Sequence, residues 1–420
     1  MSCKVLVSDV AISQREQIHD ELTIKLEDNK YAKGAPPKYV YAYSLSDEHL
    51  SLPFAYSYKT LGLVRPGRDA FPRMTKKFAG TLRAEQAIVR EESMKFLNRT
   101  GSVMVSCYCG FGKTIGAIEL SCTIKLKTLI LVNKVLLMKQ WEDSINQFCP
   151  SAVVQKLTPK AVIHDADFYI IMAANVPKRD NGTFDCIGNL IVDESHLIMA
   201  ETLSKSMEYV HPRYLIGLSA TPYRADGLNK LLELYFGLNK VVRKLFRPHN
   251  VFSVDTGFVP EFELSATGKV NWSTVLDSQA KDEGRNELIM DIIQKHPDRT
   301  FLVLVKRVFQ GEYLLRMLRE RGEVVTDLLG SKQTFDTEAR ILIGTNSKVG
   351  TGFDHPKLDA MLLAGDVESY FIQYLGRTMR RKDVVPVIFD LLDRNRILDK
   401  HYATRRAEYL QCGGTIKKYH

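Results

Sequence analysis

The stretch Cys107-Tyr108-Cys109-Gly110-Phe111-Gly112-Lys113-Thr114 joins an apolar, strand-like run at residues 103–106 to a helix-compatible run at residues 115–120. At such a junction glycines let backbone N–H groups converge on phosphate oxygens, and the helix N-terminus adds partial positive charge. Gly110 and Gly112 supply the turn, Lys113 is placed to reach β- and γ-phosphates, and Thr114 offers its hydroxyl to Mg²⁺. The general pattern GxxxxGK[ST] has glycine where this chain has Cys107, so a second element has to decide the chemistry.

That element is Leu190-Ile191-Val192-Asp193-Glu194-Ser195-His196. An apolar run ending abruptly in two carboxylates reads as a buried parallel strand whose C-terminal edge faces a ligand crevice. There Asp193 would hold Mg²⁺, directly or through water, and Glu194 would orient or deprotonate an attacking water. A lone acidic pair more often opens a solvated loop, but the Gly112-Lys113-Thr114 turn upstream in the same alternating pattern outweighs that reading.

Outward from these two stretches, short apolar runs at residues 103–106, 128–132, 168–172, 190–193 and 215–219 alternate with longer helical segments. Such alternation predicts a parallel sheet covered by helices. A second series at residues 301–305, 341–344, 361–364 and 387–389 predicts a second sheet, so the fold class is α/β with two sheet domains. Pro/Gly-bearing stretches around residues 34–37 and 61–67 set off a small accessory module at residues 1–75. The first domain is expected at residues 76–240, a linker or insertion at 241–280, the second domain at 281–400 and a basic tail at 401–420.

Two further stretches complete a set: Gly217-Leu218-Ser219-Ala220-Thr221-Pro222-Tyr223-Arg224-Ala225-Asp226-Gly227 and Gln373-Tyr374-Leu375-Gly376-Arg377-Thr378-Met379-Arg380. With the glycine-rich turn and Asp-Glu-Ser-His, the chain resembles superfamily 2 helicases of the DExH group over residues 80–395. The Gly-Leu-Ser-Ala-Thr-Pro-x-Arg-x-Asp-Gly form is similar to the XPB-like branch of repair and transcription helicases. Compact length and the Cys-Gly-Phe-Gly-Lys-Thr spelling favour the viral members, poxvirus transcript-release and iridovirus-type helicases. Many members begin the phosphate loop with a small residue, so Cys107 fits the family.

The resemblance implies two tandem RecA-like domains with ATP and Mg²⁺ as cofactors. It places Arg83 and Gln86 near the adenine, and Gly352, Asp354 and Gln373 among the nucleotide-binding groups. Arg377 and Arg380 would act from the second domain as arginine fingers, because a permanent charge on a planar fork spans phosphoryl oxygens. His196, Ser219 and Thr221 would couple hydrolysis to the grip on nucleic acid. Segments 128–141, 167–173, 301–307 and 345–356 resemble further family motifs, and Lys134, Lys306, Arg307, Thr345 and Asn346 would contact the nucleic-acid backbone.

The chain has 420 residues, room for two cores and a small third module. Its net charge of +9, spread without a dominant basic block, favours a polyanionic partner. Seven cysteines without CxxC or zinc spacing point to reduced thiols inside a cell. The amino terminus is too short and polar for a secretory signal, and no run of 18 apolar residues occurs, so a soluble protein without a membrane partner is expected, in host cytoplasm, nucleus or virion if viral. The expected activity is an ATP-dependent DNA helicase or translocase, acting on single-stranded DNA or a tailed duplex. An RNA helicase, or an ATPase that releases transcripts alongside transcription machinery without separating strands, are the rivals. Oligomeric state is left open, with a monomer compatible.

Overall fold

The structure, a computed structural model, describes residues 3–25, 39–46, 48–198, 204–220, 229–265, 268–349, 355–368 and 371–419. The chain forms two compact units, the first over Met1–Cys107 and Phe111–Arg243 and the second over Tyr108–Gly110 and Lys244–His420.

In the first unit a seven-stranded parallel sheet runs in the spatial order Lys240–Arg243, Ser102–Cys107, Tyr214–Ser219, Asn189–Val192, Thr128–Val132, Phe168–Met172, Val154–Leu157. Parallel strands need long crossovers, and the helices Ala84–Thr100, Lys113–Ile124 and Val135–Phe148 serve that purpose while packing on the sheet. Inner strands such as Thr128–Val132 are buried at every residue, which explains their continuous apolar runs.

Among the described residues, the expected module at residues 1–75 shares its core with the first unit. Cys3–Leu6 pairs antiparallel with His49–Leu52, which also pairs with Ser44–Leu45, and the helix Ile12–Leu22 lies between them in sequence. Ile18, Leu22, Leu52 and Phe54 share one buried cluster with Leu129, Leu131 and Leu190 of the large sheet. A segment of this size buries a smaller share of its surface than a large domain, and sharing the first unit's core offsets that.

The second unit holds another seven-stranded parallel sheet, ordered Val325–Leu328, Ile341–Thr345, Phe301–Val305, Ala360–Leu363, Val387–Leu392, His249–Asp255, Gly414–Lys418. Residues 241–280, expected as a linker or insertion, hold the internal strand His249–Asp255 and the start of the helix Trp272–Lys281. Residues 401–420, expected as a basic tail, are the end of the helix Arg396–Gln411 and the edge strand Gly414–Lys418.

That helix is fastened to the sheet by buried charge. The Arg405 guanidinium donates to both oxygens of Asp390 at 2.9 Å and to Asp366 Oδ1 at 3.0 Å, and the Tyr409 hydroxyl donates to Asp390 Oδ2 at 2.9 Å. Nearby, Arg285 Nε donates to both oxygens of Asp393 at 3.1 Å, which Gln279 and Thr256 also reach, at 2.5 and 2.6 Å. Among the described residues no helix is long and apolar enough to cross a membrane.

Candidate active site

The strand Ser102–Cys107 delivers the chain to the turn, and the helix Lys113–Ile124 leaves it. Gly110 and Gly112 both take left-handed backbone conformations, φ +87° and +91°, which side chains resist. Cys107 is the last strand residue, paired with Arg243, so its position requires no such conformation and a buried thiol is tolerated where the general pattern has glycine. Burial pushes that thiol up to about 11 even against the pull of Lys113, so it is neutral and packs rather than reacts. The Lys113 ammonium donates to the Cys107 carbonyl at 2.8 Å, folded across the mouth of the turn, while Thr114 occupies the first helical turn, half-buried.

Arg83 and Gln86 hold the turn rather than standing apart from it. Gln86 Nε2 donates to the Phe111 carbonyl at 2.9 Å, and an Arg83 guanidinium N–H donates to the same oxygen. A Cβ at Gly112 would collide with Gln86 Nε2, so this clamp and the glycine require each other. Gln86 Oε1 accepts from the Arg83 backbone N–H at 2.9 Å, anchoring the pair at the start of the helix Ala84–Thr100.

Asp193 and Glu194 follow the strand Asn189–Val192 at the same C-terminal edge of the sheet. Asp193 Oδ2 accepts from Trp141 Nε1 at 2.8 Å, and Oδ1 accepts from the Glu194 backbone N–H at 2.9 Å. Burial, with the adjacent Glu194 charge adding to it, pushes Asp193 up to about 6 despite Trp141 and Lys113. Glu194 sits at φ +46°, a left-handed conformation that costs a residue with a Cβ about 1–2 kcal/mol. Its Oε2 is buried and makes no hydrogen bond, with His196 Nδ1 at 3.6 Å. His196 Nδ1 in turn shares a 2.8 Å hydrogen bond with Ser219 Oγ at the end of the strand Tyr214–Ser219, so His196 and Ser219 are brought together. Thr221, Gly352 and Asp354 lie outside the described residues.

In the second unit, Gln373 lies on the short helix Phe371–Leu375, and Arg377 and Arg380 follow it, the Arg377 N–H bonded to the Tyr374 carbonyl at 2.9 Å. The backbone-contact candidates all sit where parallel strands end. Lys134 precedes the helix Val135–Phe148 in the first unit. Lys306 and Arg307 follow Phe301–Val305, and Thr345 and Asn346 close Ile341–Thr345 and open the next helix. Arg307 is already committed, with Nε on Asp277 at 2.5 Å and a second nitrogen on Ser273 Oγ at 2.6 Å, which makes it a fastener of the helix Trp272–Lys281. Burial lowers the Lys306 ammonium, with Asp366 and Glu368 opposing. Asn346 Oδ1 is buried without a hydrogen bond.

The family described as "Type III restriction enzyme, res subunit" matches residues 79–224. "Putative helicase 161L" of Invertebrate iridescent virus 6 is 42% identical over 448 residues, covering 100% of both chains. The chain belongs to the iridovirus helicases. It is accordingly a helicase-family ATPase with tandem RecA-like domains. "Transcript termination protein A18" of Myxoma virus is 27% identical over 318 residues, 66% of this chain and 64% of that protein. The fold matches S. cerevisiae Dbp5 bound to RNA and ADP BeF3, with a TM-score of 0.59 at 13% identity over 79% of this chain and 89% of the other.

Within this helicase two functional contacts are absent from any local sequence pattern. Trp141 lies inside the segment 128–141, yet nothing in that segment says its indole reaches Asp193, 52 residues on. The Phe111 carbonyl is equally silent in sequence, though two side chains converge on it.

Proposed function

We propose that the chain is an ATP-driven DNA helicase or translocase whose hydrolytic centre is Lys113, Thr114, Asp193 and Glu194. The observation that carries this is Glu194, a buried carboxylate held at φ +46° with a hydrogen-bond-free oxygen, next to an Asp193 that burial keeps half-neutral near pH 6. A strained, unsatisfied acid is costly to a fold and is kept where chemistry uses it.

The residues fit Mg²⁺. Thr114 and Asp193 offer only oxygen donors, and among the described residues Asp193 forms no ion pair, with Lys113 the nearby cation whose charge it feels. Among the described residues no three acidic, histidine or cysteine groups cluster as an all-protein metal cage, which suits an ion held largely by substrate phosphates. Mg²⁺ supplies charge to the β- and γ-phosphate oxygens when bound. Lys113 exchanges the Cys107 carbonyl for those oxygens, and Glu194 Oε2 orients the attacking water and takes its proton. His196 reports the state of Glu194 to Ser219 through the shared Nδ1 contacts. Arg377 and Arg380 are assigned to the transferring phosphoryl group, and Lys134, Lys306, Thr345 and Asn346 to the nucleic-acid backbone.

A second reading, release of transcripts by translocation without strand separation, is supported by the likeness to the Myxoma virus transcript termination protein. ATPase rates with single-stranded DNA, duplex DNA and RNA, run beside a strand-displacement assay, separate the readings. Stimulation by single-stranded DNA with displacement is expected. Stimulation without displacement favours transcript release, and stimulation by RNA alone makes the chain an RNA helicase.

A further inference from the structure

We propose that the first unit carries a second anion site, separate from the phosphate loop, which takes a small phosphate monoester with an apolar body. A cavity of about 410 Å³ opens at the N-terminal edge of the first sheet, between the residues around Tyr58–Arg65, the end of the helix Ala84–Thr100 and the segment Gly237–Asn239. Ser102 lines it, whereas the phosphate loop follows Cys107 at the other end of the same strand, roughly 17 Å away at about 3.3 Å per residue.

Three cations, Lys59, Arg65 and Arg99, line this cavity, and no carboxylate does. A fourth, Arg213, stands beside Arg65, and both guanidiniums lie over the Tyr214 ring, 5.4 and 6.0 Å from its centroid. Among the described residues none of these four forms an ion pair, in contrast to Arg243, Arg285 and Arg405 elsewhere in the chain. Arg65 reaches only the Leu97 and Asn98 carbonyls, through long bonds of 3.4 and 3.3 Å. Arg213 Nε is buried with no hydrogen-bond partner. Burial, and then the neighbouring Arg213 charge, lower Arg65 from its ordinary value. Arginine does not lose its proton in response, so the like-charge pair is a standing cost that a bound anion offsets.

The backbone is shaped to allow this. Gly101 ends its helix at φ +81°, and a Cβ there would collide with the Arg65 guanidinium, so the arginine can lie against the helix end only because the residue is glycine. Apolar side chains, Ala55, Leu63 and Leu238, line the cavity too, and Leu238 is 65% exposed. Cations and hydrocarbon lining one cavity, in a volume within the range of about 300–1,000 Å³ typical of small-molecule pockets, suit a compact ester better than a continuous polyanion.

The test uses the full chain with Lys113→Ala, which removes the phosphate-loop ammonium, and titrates AMP, phenyl phosphate and inorganic phosphate by calorimetry. Both esters are expected to bind once per chain and more tightly than inorganic phosphate. Adding Lys59→Glu and Arg99→Glu, both at exposed positions, should weaken the esters at least about tenfold, the value of one charge-assisted hydrogen bond. Leu238→Asp should weaken the esters and leave inorganic phosphate unchanged. If the glutamate pair lowers the melting temperature, Lys59→Gln with Arg99→Gln replaces it with the same expected direction. Failure of both esters to bind, affinities that ignore the charge changes, or inorganic phosphate binding as tightly as the esters would overturn the proposal. So would loss of oligonucleotide binding in the charge variants without any ester binding, which would assign these cations to nucleic acid.

Discussion

Leu190-Ile191-Val192-Asp193-Glu194 in the first unit and Ile388-Phe389-Asp390-Leu391-Leu392-Asp393 in the second both carry acids to the C-terminal edge of a parallel sheet, but those acids live differently. Asp390 receives two bonds from Arg405 and one from Tyr409, and Asp393 receives Arg285, Gln279 and Thr256. Asp193 has an indole and one backbone N–H, and Glu194 Oε2 has no hydrogen bond at all. Asp390 fastens the Arg396–Gln411 helix to its sheet and Asp393 fastens the helices Trp272–Lys281 and Glu283–Gln294, while the under-satisfied Asp193 and Glu194 are the acids we propose meet a substrate, a cation and a water. Burial alone does not separate function from architecture, because all four carboxylates are buried; the supply of donors does.

Outside both stretches, the largest effect is expected at Arg380. Arg380→Lys keeps the charge and loses the planar fork, so turnover should fall on the order of 10³ with little change in DNA affinity. Loss of DNA binding with turnover kept at saturating DNA would move this arginine to the nucleic-acid track. Next comes Arg405→Ala, which strands two buried aspartates and should destabilise the fold by about 3–5 kcal/mol in urea unfolding. An unchanged unfolding midpoint would erase the distinction between the two edges.

Trp141→Phe probes the one strong donor that Asp193 has. Stability should fall by about 1–3 kcal/mol, and the Mg²⁺ concentration needed for half-maximal ATPase should shift, because the carboxylate loses its orientation. If only stability changes, the indole is a packing element. The smallest effect belongs to His401, whose pKa is raised chiefly by its hydrogen bond to Asp366, at 2.7 Å, with Glu368 adding and Arg405 opposing. A raised folded-state value means stabilisation that is complete below the unfolded value of about 6.5 and lost as pH climbs through the folded one. The melting temperature of the wild type should therefore exceed that of His401→Gln most at pH 6 and least above pH 8. A gap that widens with pH would contradict the assignment.

The inner strands were legible because strands buried on both faces, such as Thr128–Val132 and Phe301–Val305, become unbroken apolar runs. Edge strands are masked in the sequence: Lys240–Arg243 and Gly414–Lys418 carry charged residues, and Val154–Leu157 has Gln and Lys at its centre. His249–Asp255 is internal, yet its His, Asn, Ser and Asp disguise it, so its segment reads as a linker. In the site, Gly112-Lys113-Thr114 and Asp193-Glu194 could be read because their chemistry is local. Arg405 with Asp366, 39 residues apart, and Arg285 with Asp393, 108 apart, could not, because only the fold brings them together.

The comparison is tested most directly by measuring steady-state ATPase at saturating single-stranded DNA, together with the urea unfolding midpoint, for Glu194→Gln and Asp390→Asn side by side. Glu194→Gln should lose about 10²–10⁴ in turnover, bind ATP as before and unfold at the wild-type midpoint or above it. Asp390→Asn should unfold several kcal/mol earlier, with Arg405 left under-compensated, while the folded fraction keeps turning over. If Glu194→Gln hydrolyses ATP at the wild-type rate, or if it is the substitution that unfolds the protein, the first edge is architecture and the account fails.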